Sequence, residues 1–274
     1  MSEDVWNNEN APKALTVDQL MKLEATSSAA HMEVELCYSR RKAFIKPLKV
    51  IDKKELLKAM ENKNENLVNR VFDNILQKYV EVEGYTDSLD KLVMPERQQL
   101  LASIRNANGD ATATIVHVCP SCESANTIEY DLSGLDVKYY TPSEDGDIVI
   151  KELDSNTKVE YHIKPLTRVD EKICETHINN EKIKLESEKY MVRMASFIGK
   201  VVVVKGADRI PVEFSNYQEK IDFYKNIDGV VDSKIKNVIK RFDFGVRMPF
   251  QFQCEHCEYT EKNDEVNVAA FFIS

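Results

Sequence analysis

The feature that most constrains this chain is a pair of like-spaced cysteine turns, Cys119-Pro120-Ser121-Cys122 and Cys254-Glu255-His256-Cys257. A C-x-x-C turn places two sulfurs close enough to share one metal ion. Its backbone amides also donate to those sulfurs and offset their charge. One turn supplies two ligands. Two turns supply four and close the tetrahedral thiolate shell that structural zinc prefers. The settings agree: His117-Val118 leads into the first turn and Ala125-Asn126-Thr127-Ile128 leads away, while Phe252-Gln253 leads into the second and Asp264 to Val268 leads away. Each turn reads as the knuckle of a β-hairpin, and two facing knuckles make a zinc ribbon. The separation is long for a ribbon, so a large helical insertion must lie between the hairpins. The expectation is one structural zinc on Cys119, Cys122, Cys254 and Cys257.

Other uses of these cysteines fit less well. A thioredoxin-like pair needs a C-x-x-C at a helix N-terminus after a strand, where its thiolate is favoured. An iron–sulfur centre satisfies the ligand count only. A catalytic zinc needs an open position, which four thiolates do not leave, although His117 and His256 lie close enough in sequence to be substitutes. Two half-sites completed by a partner chain are a further arrangement. The remaining two of the six cysteines, Cys37 in an alternating strand and Cys174 on a helix, read as packing residues.

Composition narrows the function. The chain has 274 residues and a net charge of −9, from 37 basic and 46 acidic residues. Its length allows a substantial core. An acidic surface repels a phosphate backbone and an anionic membrane. No apolar run is long enough to cross a bilayer, and residues 1–10 lack the pattern of a secretory signal. Phosphate loops, nucleophile elbows and H-E-x-x-H motifs are missing from the sequence. The clusters Arg40-Arg41-Lys42 and Lys234, Lys236, Lys240, Arg241 read as solvated faces.

Along the chain, a tail and a helix capped at Thr16 occupy residues 1–31. Alternating strands follow at 32–38 and 42–48. Asp52 and Glu55 cap a helix, an amphipathic helix spans 67–79, and Pro95 opens another. A strand over 112–118 enters the first knuckle and one over 127–132 leaves it. A linker at 141–147, rich in acidic residues, glycine and proline, separates this unit from a second over 148–274. There the order begins again: Ile163-Lys164-Pro165-Leu166 repeats Ile45-Lys46-Pro47-Leu48, and Asp170 follows as Asp52 does. The sequence therefore predicts an internal duplication, with repeats at 32–140 and 148–274 and the metal clamping them on a pseudo-twofold axis. The fold class is α+β: two related halves, each a small antiparallel sheet with packed helices, joined by a four-cysteine zinc ribbon.

The first half carries an ordered set of segments. They are Phe44-Ile45-Lys46-Pro47-Leu48, the Lys- and Leu-rich Lys53 to Met60, the amphipathic Leu67 to Val80, and Leu89-Asp90-Lys91-Leu92. Leu100-Leu101-Ala102-Ser103-Ile104-Arg105, the first C-x-x-C and Thr127-Ile128-Glu129-Tyr130-Asp131-Leu132 follow. In this order, over residues 42–138, the chain resembles the baseplate hub subunit and hub-assembly proteins of T-even-type contractile-tailed phages. It departs from them at Val93-Met94-Pro95-Glu96, where the family commonly has an aromatic and an aspartate, and it is longer than the simplest members. The resemblance implies a non-enzymatic tail protein, built into the baseplate hub or acting as a chaperone of its assembly. The implied partners are other tail and hub proteins, with no small-molecule substrate and no catalytic residues. The implied location is the tail of the virion, or the host cytoplasm during assembly. The alternatives are a zinc-ribbon nucleic-acid-binding or transcription-associated protein, which would use Arg40, Arg41 and Lys42 on phosphate, and a thiol oxidoreductase.

Overall fold

The computed structural model describes residues 16–17, 32–62, 65–109, 112–131, 133–134, 136–144, 146–247 and 250–263. The helix expected from Thr16 to Ala30 and the strand expected at 264–268 lie outside these residues, apart from Thr16 and Val17. Among the described residues no helix is long and apolar enough to cross a membrane.

A first sheet has the order β1 (Met32–Glu35), β2 (Lys42–Ile45), β3 (Val80–Val82), all antiparallel. Helices α1 (Val50–Glu61) and α2 (Glu65–Tyr79) connect β2 to β3. Helix α2 forms as its periodicity requires: Phe72, Ile75, Leu76 and Tyr79 recur on one face and are buried with Ile45, Leu36 and Leu100. Helix α1 is not capped by Asp52, as the sequence suggested. It begins at Val50 with Lys49 at the N-cap and no side-chain cap. Asp52 lies inside the first turn and accepts from Lys78 and from the Tyr79 hydroxyl. The two strands are shorter than expected, because the chain turns from Leu36 to Arg41. Helix α3 (Met94–Ala107) holds that turn. Gln99 accepts from the Cys37 amide at 2.9 Å, and Glu96, 1% exposed, accepts from the Ser39 amide at 2.6 Å. Cys37 thus sits in a turn rather than a strand. Its thiol, packed with Val93 and Phe244, is pushed up to about 12 by burial.

A second sheet has the order β10 (Asp208–Val212), β9 (Ile198–Lys205), β8 (Thr157–Ile163), β7 (Ile148–Glu152), again antiparallel. Helices α4 (Arg168–Asn180) and α5 (Glu186–Phe197) connect β8 to β9. Helices α6 (Tyr217–Lys225) and α7 (Gly229–Lys240) complete this unit, and Ile221, Ile235 and Val201 lie in its core. Asn216 and Asp228 cap α6 and α7 through their side chains.

The two sheets share several details. In each, a hairpin is followed by two helices and then a strand antiparallel to the second strand of the hairpin. Each Ile-Lys-Pro-Leu string leaves that second strand. The Lys46 amide donates to the Tyr79 carbonyl at 2.9 Å, and the Lys164 amide donates to the Phe197 carbonyl at 2.8 Å. Tyr79 and Phe197 each end a helix that runs directly into the returning strand, and Ile45 pairs with Val80 as Ile163 pairs with Ile198.

Charged groups lie where the two sheets' helices meet. Asp73 of α2 faces Arg97 of α3 and both Arg168 and Lys172 of α4, and Lys172 also reaches Asp90 at 2.6 Å. Val93 forms a bridge with Thr167 beside them. A short ladder that the sequence did not suggest, β6 (Asp136–Lys138) with β11 (Gly245–Arg247), joins distant parts of the chain. Two further hairpins, β4 (Thr112–Val118) with β5 (Ala125–Asp131) and β12 (Phe250–Gln253) with β13 (Thr260–Asn263), carry the cysteines.

Candidate metal centre

Each cysteine pair sits at the tip of its hairpin. The first tip is closed by the Glu123 amide donating to the Cys119 carbonyl at 2.9 Å and the Cys119 amide donating to the Ser124 carbonyl at 3.0 Å. Glu123 takes φ 59°, the left-handed conformation that lets the chain reverse just after Cys122. At the second tip the Cys254 amide donates to the Tyr259 carbonyl at 3.0 Å, and the His256 amide points at the Cys254 sulfur at 3.3 Å. That last contact is the amide-to-sulfur donation a knuckle uses to offset thiolate charge. Strand β13 leaves the second knuckle at once, at Thr260, earlier than the stretch from Asp264 that the sequence suggested.

The two tips face each other. Cys119 Sγ lies 3.7 Å from Cys257 Sγ, and Cys122 Sγ lies 3.5 Å from Cys254 Sγ, across 138 and 132 positions of sequence. All four sulfurs fall within 4.8 Å of one another. A tetrahedral thiolate site with bonds of about 2.3 Å has edges of about 3.8 Å. The arrangement therefore could hold a metal ion, and it is made of the four residues singled out from the sequence. Cys119 and Cys254 are buried, and Cys122 is the most exposed of the four. Hydrogen bonding with Ser124 lowers the Cys122 thiol to about 6. A backbone hydrogen bond at Tyr259 lowers the Cys257 thiol, but burial and the neighbouring sulfurs outweigh it and raise that thiol to about 11.

One supporting residue escaped the sequence reading. Asn126 is 3% exposed, and its Oδ1 accepts from the Glu255 amide at 2.9 Å, while its Nδ2 donates to the Ser124 carbonyl at 2.9 Å. It ties one knuckle to the other. Nothing in a lone asparagine after a cysteine turn signals that role. Phe252 and Tyr259 pack beside the cysteines. His117 does not point to the sulfurs as a substitute ligand would: its ring meets Phe252 edge-on at 4.5 Å and its Nε2 lies 3.5 Å from Glu261.

The cluster Arg40-Arg41-Lys42 is engaged within the chain. Arg40 pairs with Glu35 at 2.8 Å and lies over the Tyr139 ring, Arg41 donates to the Gly84 carbonyl, and Lys42 pairs with Glu33 at 2.7 Å. On α7, Lys236 pairs with Asp232 at 2.6 Å. Cys174 is buried on α4, as expected, against Ser196 and Tyr217.

No curated protein and no solved structure matches the chain. A family model described as T4 bacteriophage base plate protein matches residues 30–273, nearly the whole chain. This chain, with its facing cysteine knuckles, belongs to the T4 bacteriophage base plate protein family.

Proposed function

We propose that this protein works in the hub of the tail baseplate, as a hub subunit or as a chaperone of hub assembly, and that a structural zinc on Cys119, Cys122, Cys254 and Cys257 clamps two related halves of the chain. The observation that carries the reading is the family match over 30–273. The convergence of four thiols from distant sequence supports the clamp. Zinc is favoured over other ions because four thiolates in a compact tetrahedron suit a soft to borderline, redox-inactive metal. The halves, 32–140 and 148–274, are supported by the shared path of the two sheets and by the two amide contacts from Lys46 and Lys164. Its work is contact with other tail proteins, without turnover.

The test is to locate the protein. Purified tails, and the hub precursors that precede them, are assayed for this chain by quantitative mass spectrometry. Fixed stoichiometry in both makes it a hub subunit. Presence in precursors alone makes it a chaperone. If it sits in the baseplate periphery and is missing from every hub precursor, the hub reading is wrong.

A further inference from the structure

The hairpin β4–β5 has two faces of opposite character. Side chains alternate along a strand, and Asn126, Ile128 and His117 turn inward toward Phe252 and the knuckles. The other face is open along its length. Val116 is 66% exposed and Val118 57% exposed, and their cross-strand partners, Thr127 and Ala125, are exposed as well. Toward the far end, Glu129 opposite Thr114 and Asp131 opposite Thr112 are also exposed. Asp131 is held below the usual carboxylate range by hydrogen bonding with Ser133, so it is charged at neutral pH. No lysine or arginine lies in either strand. Among the described residues, this ribbon pairs with no third strand. An isolated two-stranded ribbon is marginal in water, and a stripe of β-branched residues on it favours a covered state.

We infer that this face docks another protein of the tail through a segment that sets apolar side chains on Val116 and Val118 and a lysine or arginine against Glu129 and Asp131. The occupant follows from charge: the face offers an apolar patch with two exposed carboxylates at one end and no lysine or arginine in its own strands, the nearby Arg105 being engaged with the Thr112 carbonyl, so a basic, apolar segment fits and an acidic one is repelled. The inference deepens the baseplate reading and rests on it. The tip of the same hairpin holds two of the four cysteines, so a metal bound there would also fix the orientation of the docking face.

The experiment uses the full-length protein, expressed during infection by phage lacking its own copy. A photo-reactive benzoyl-phenylalanine replaces Val116 in one strain and the exposed Val230, on α7, in another. Cross-linked peptides are then identified by mass spectrometry. The expected result is a cross-link from position 116, and not from 230, to a Lys- or Arg-bearing segment of one phage tail protein. E129K/D131K should cut that cross-link and the phage yield at least tenfold, while zinc content stays unchanged. Cross-links from 116 to residues 264–274 of the same chain, or to a second copy, would overturn the proposal, as would an unchanged cross-link in E129K/D131K. Cross-links to tail proteins from 230 alone would reject this face yet keep the baseplate reading. Association with no tail protein from either position, or by a general lysine cross-linker, would reject both.

Discussion

Burial alone would raise the Asp170 carboxyl, but Lys164 and the amide and hydroxyl of Thr167 more than offset it and hold the group below its ordinary value. A carboxyl lowered in the folded state adds stability above its unfolded value. That stability is lost as pH falls through the folded value. Asp170→Asn should therefore cost about 1 kcal/mol at pH 7, the usual scale of a helix cap. The gap to the native protein should start to narrow as pH falls past about 4, the ordinary carboxylate value, and close only below the lowered folded value; urea unfolding at several pH values checks both. Residue-scale chemistry was legible where spacing is local. Two C-x-x-C turns announce their sulfurs. Asn126 does not announce itself, because its partner, the Glu255 amide, is 129 positions away. Asn126→Ala should leave the Glu255 amide without its acceptor, at a cost of about 1 kcal/mol, and should weaken retention of the proposed metal against a competing chelator.

Helices with a clear apolar face or a side-chain cap follow from local sequence, and α2 and α7 formed as such rules require. Strands β1, β2, β4 and β5 also lie where the sequence placed strands, but β6 and β11 were not foreseen, because their pairing is set by distant partners. The ladder β6–β11 is the clearest case: three residues before the expected linker pair with three residues after the last helix. Gly245 explains why that ladder fits. It has φ 122°, and a Cβ there would lie 3.0 Å from Pro95 Cβ. Strand β11 thus passes against the start of α3 through a position that suits glycine. Gly245→Ala should cost about 1–3 kcal/mol and speed amide exchange along β6 and β11 before the cores of either sheet. Equal exchange in both proteins would mean that the close approach is dispensable.

At the scale of the whole molecule, one tie between the two sheets is visible among the described residues and another is proposed. One is the charge cluster of Asp73, Asp90, Arg97, Arg168 and Lys172, with both arginines about 95% buried at their side chains. Removing one partner of a buried ion group leaves the others uncompensated, so Asp73→Asn should lower stability by about 3–5 kcal/mol in chemical denaturation. The other, which is proposed, is a metal held between the facing knuckles. Structural zinc in isolated fingers is worth about 10–16 kcal/mol. Here each sheet keeps its own core, one around Leu36, Ile45 and Leu100 and the other around Ile198, Ile221 and Ile235. Loss of the proposed metal should therefore open the hairpins and loosen the junction while both sheets stay folded. The shared path of the two sheets was partly legible, since an Ile-Lys-Pro-Leu string leaves the matching strand in each. The charge cluster was not, because its members lie on separate helices whose surfaces look like ordinary solvated faces in sequence.

Native mass spectrometry of the purified protein and of Cys254→Ser, before and after chelation, tests the central claim most directly. The account expects one zinc per monomer in the native chain, none in Cys254→Ser, and a shift to more highly charged, less compact ions when chelator removes the metal. A monomer without zinc, or zinc held only by a dimer, would contradict an intramolecular clamp formed by Cys119, Cys122, Cys254 and Cys257.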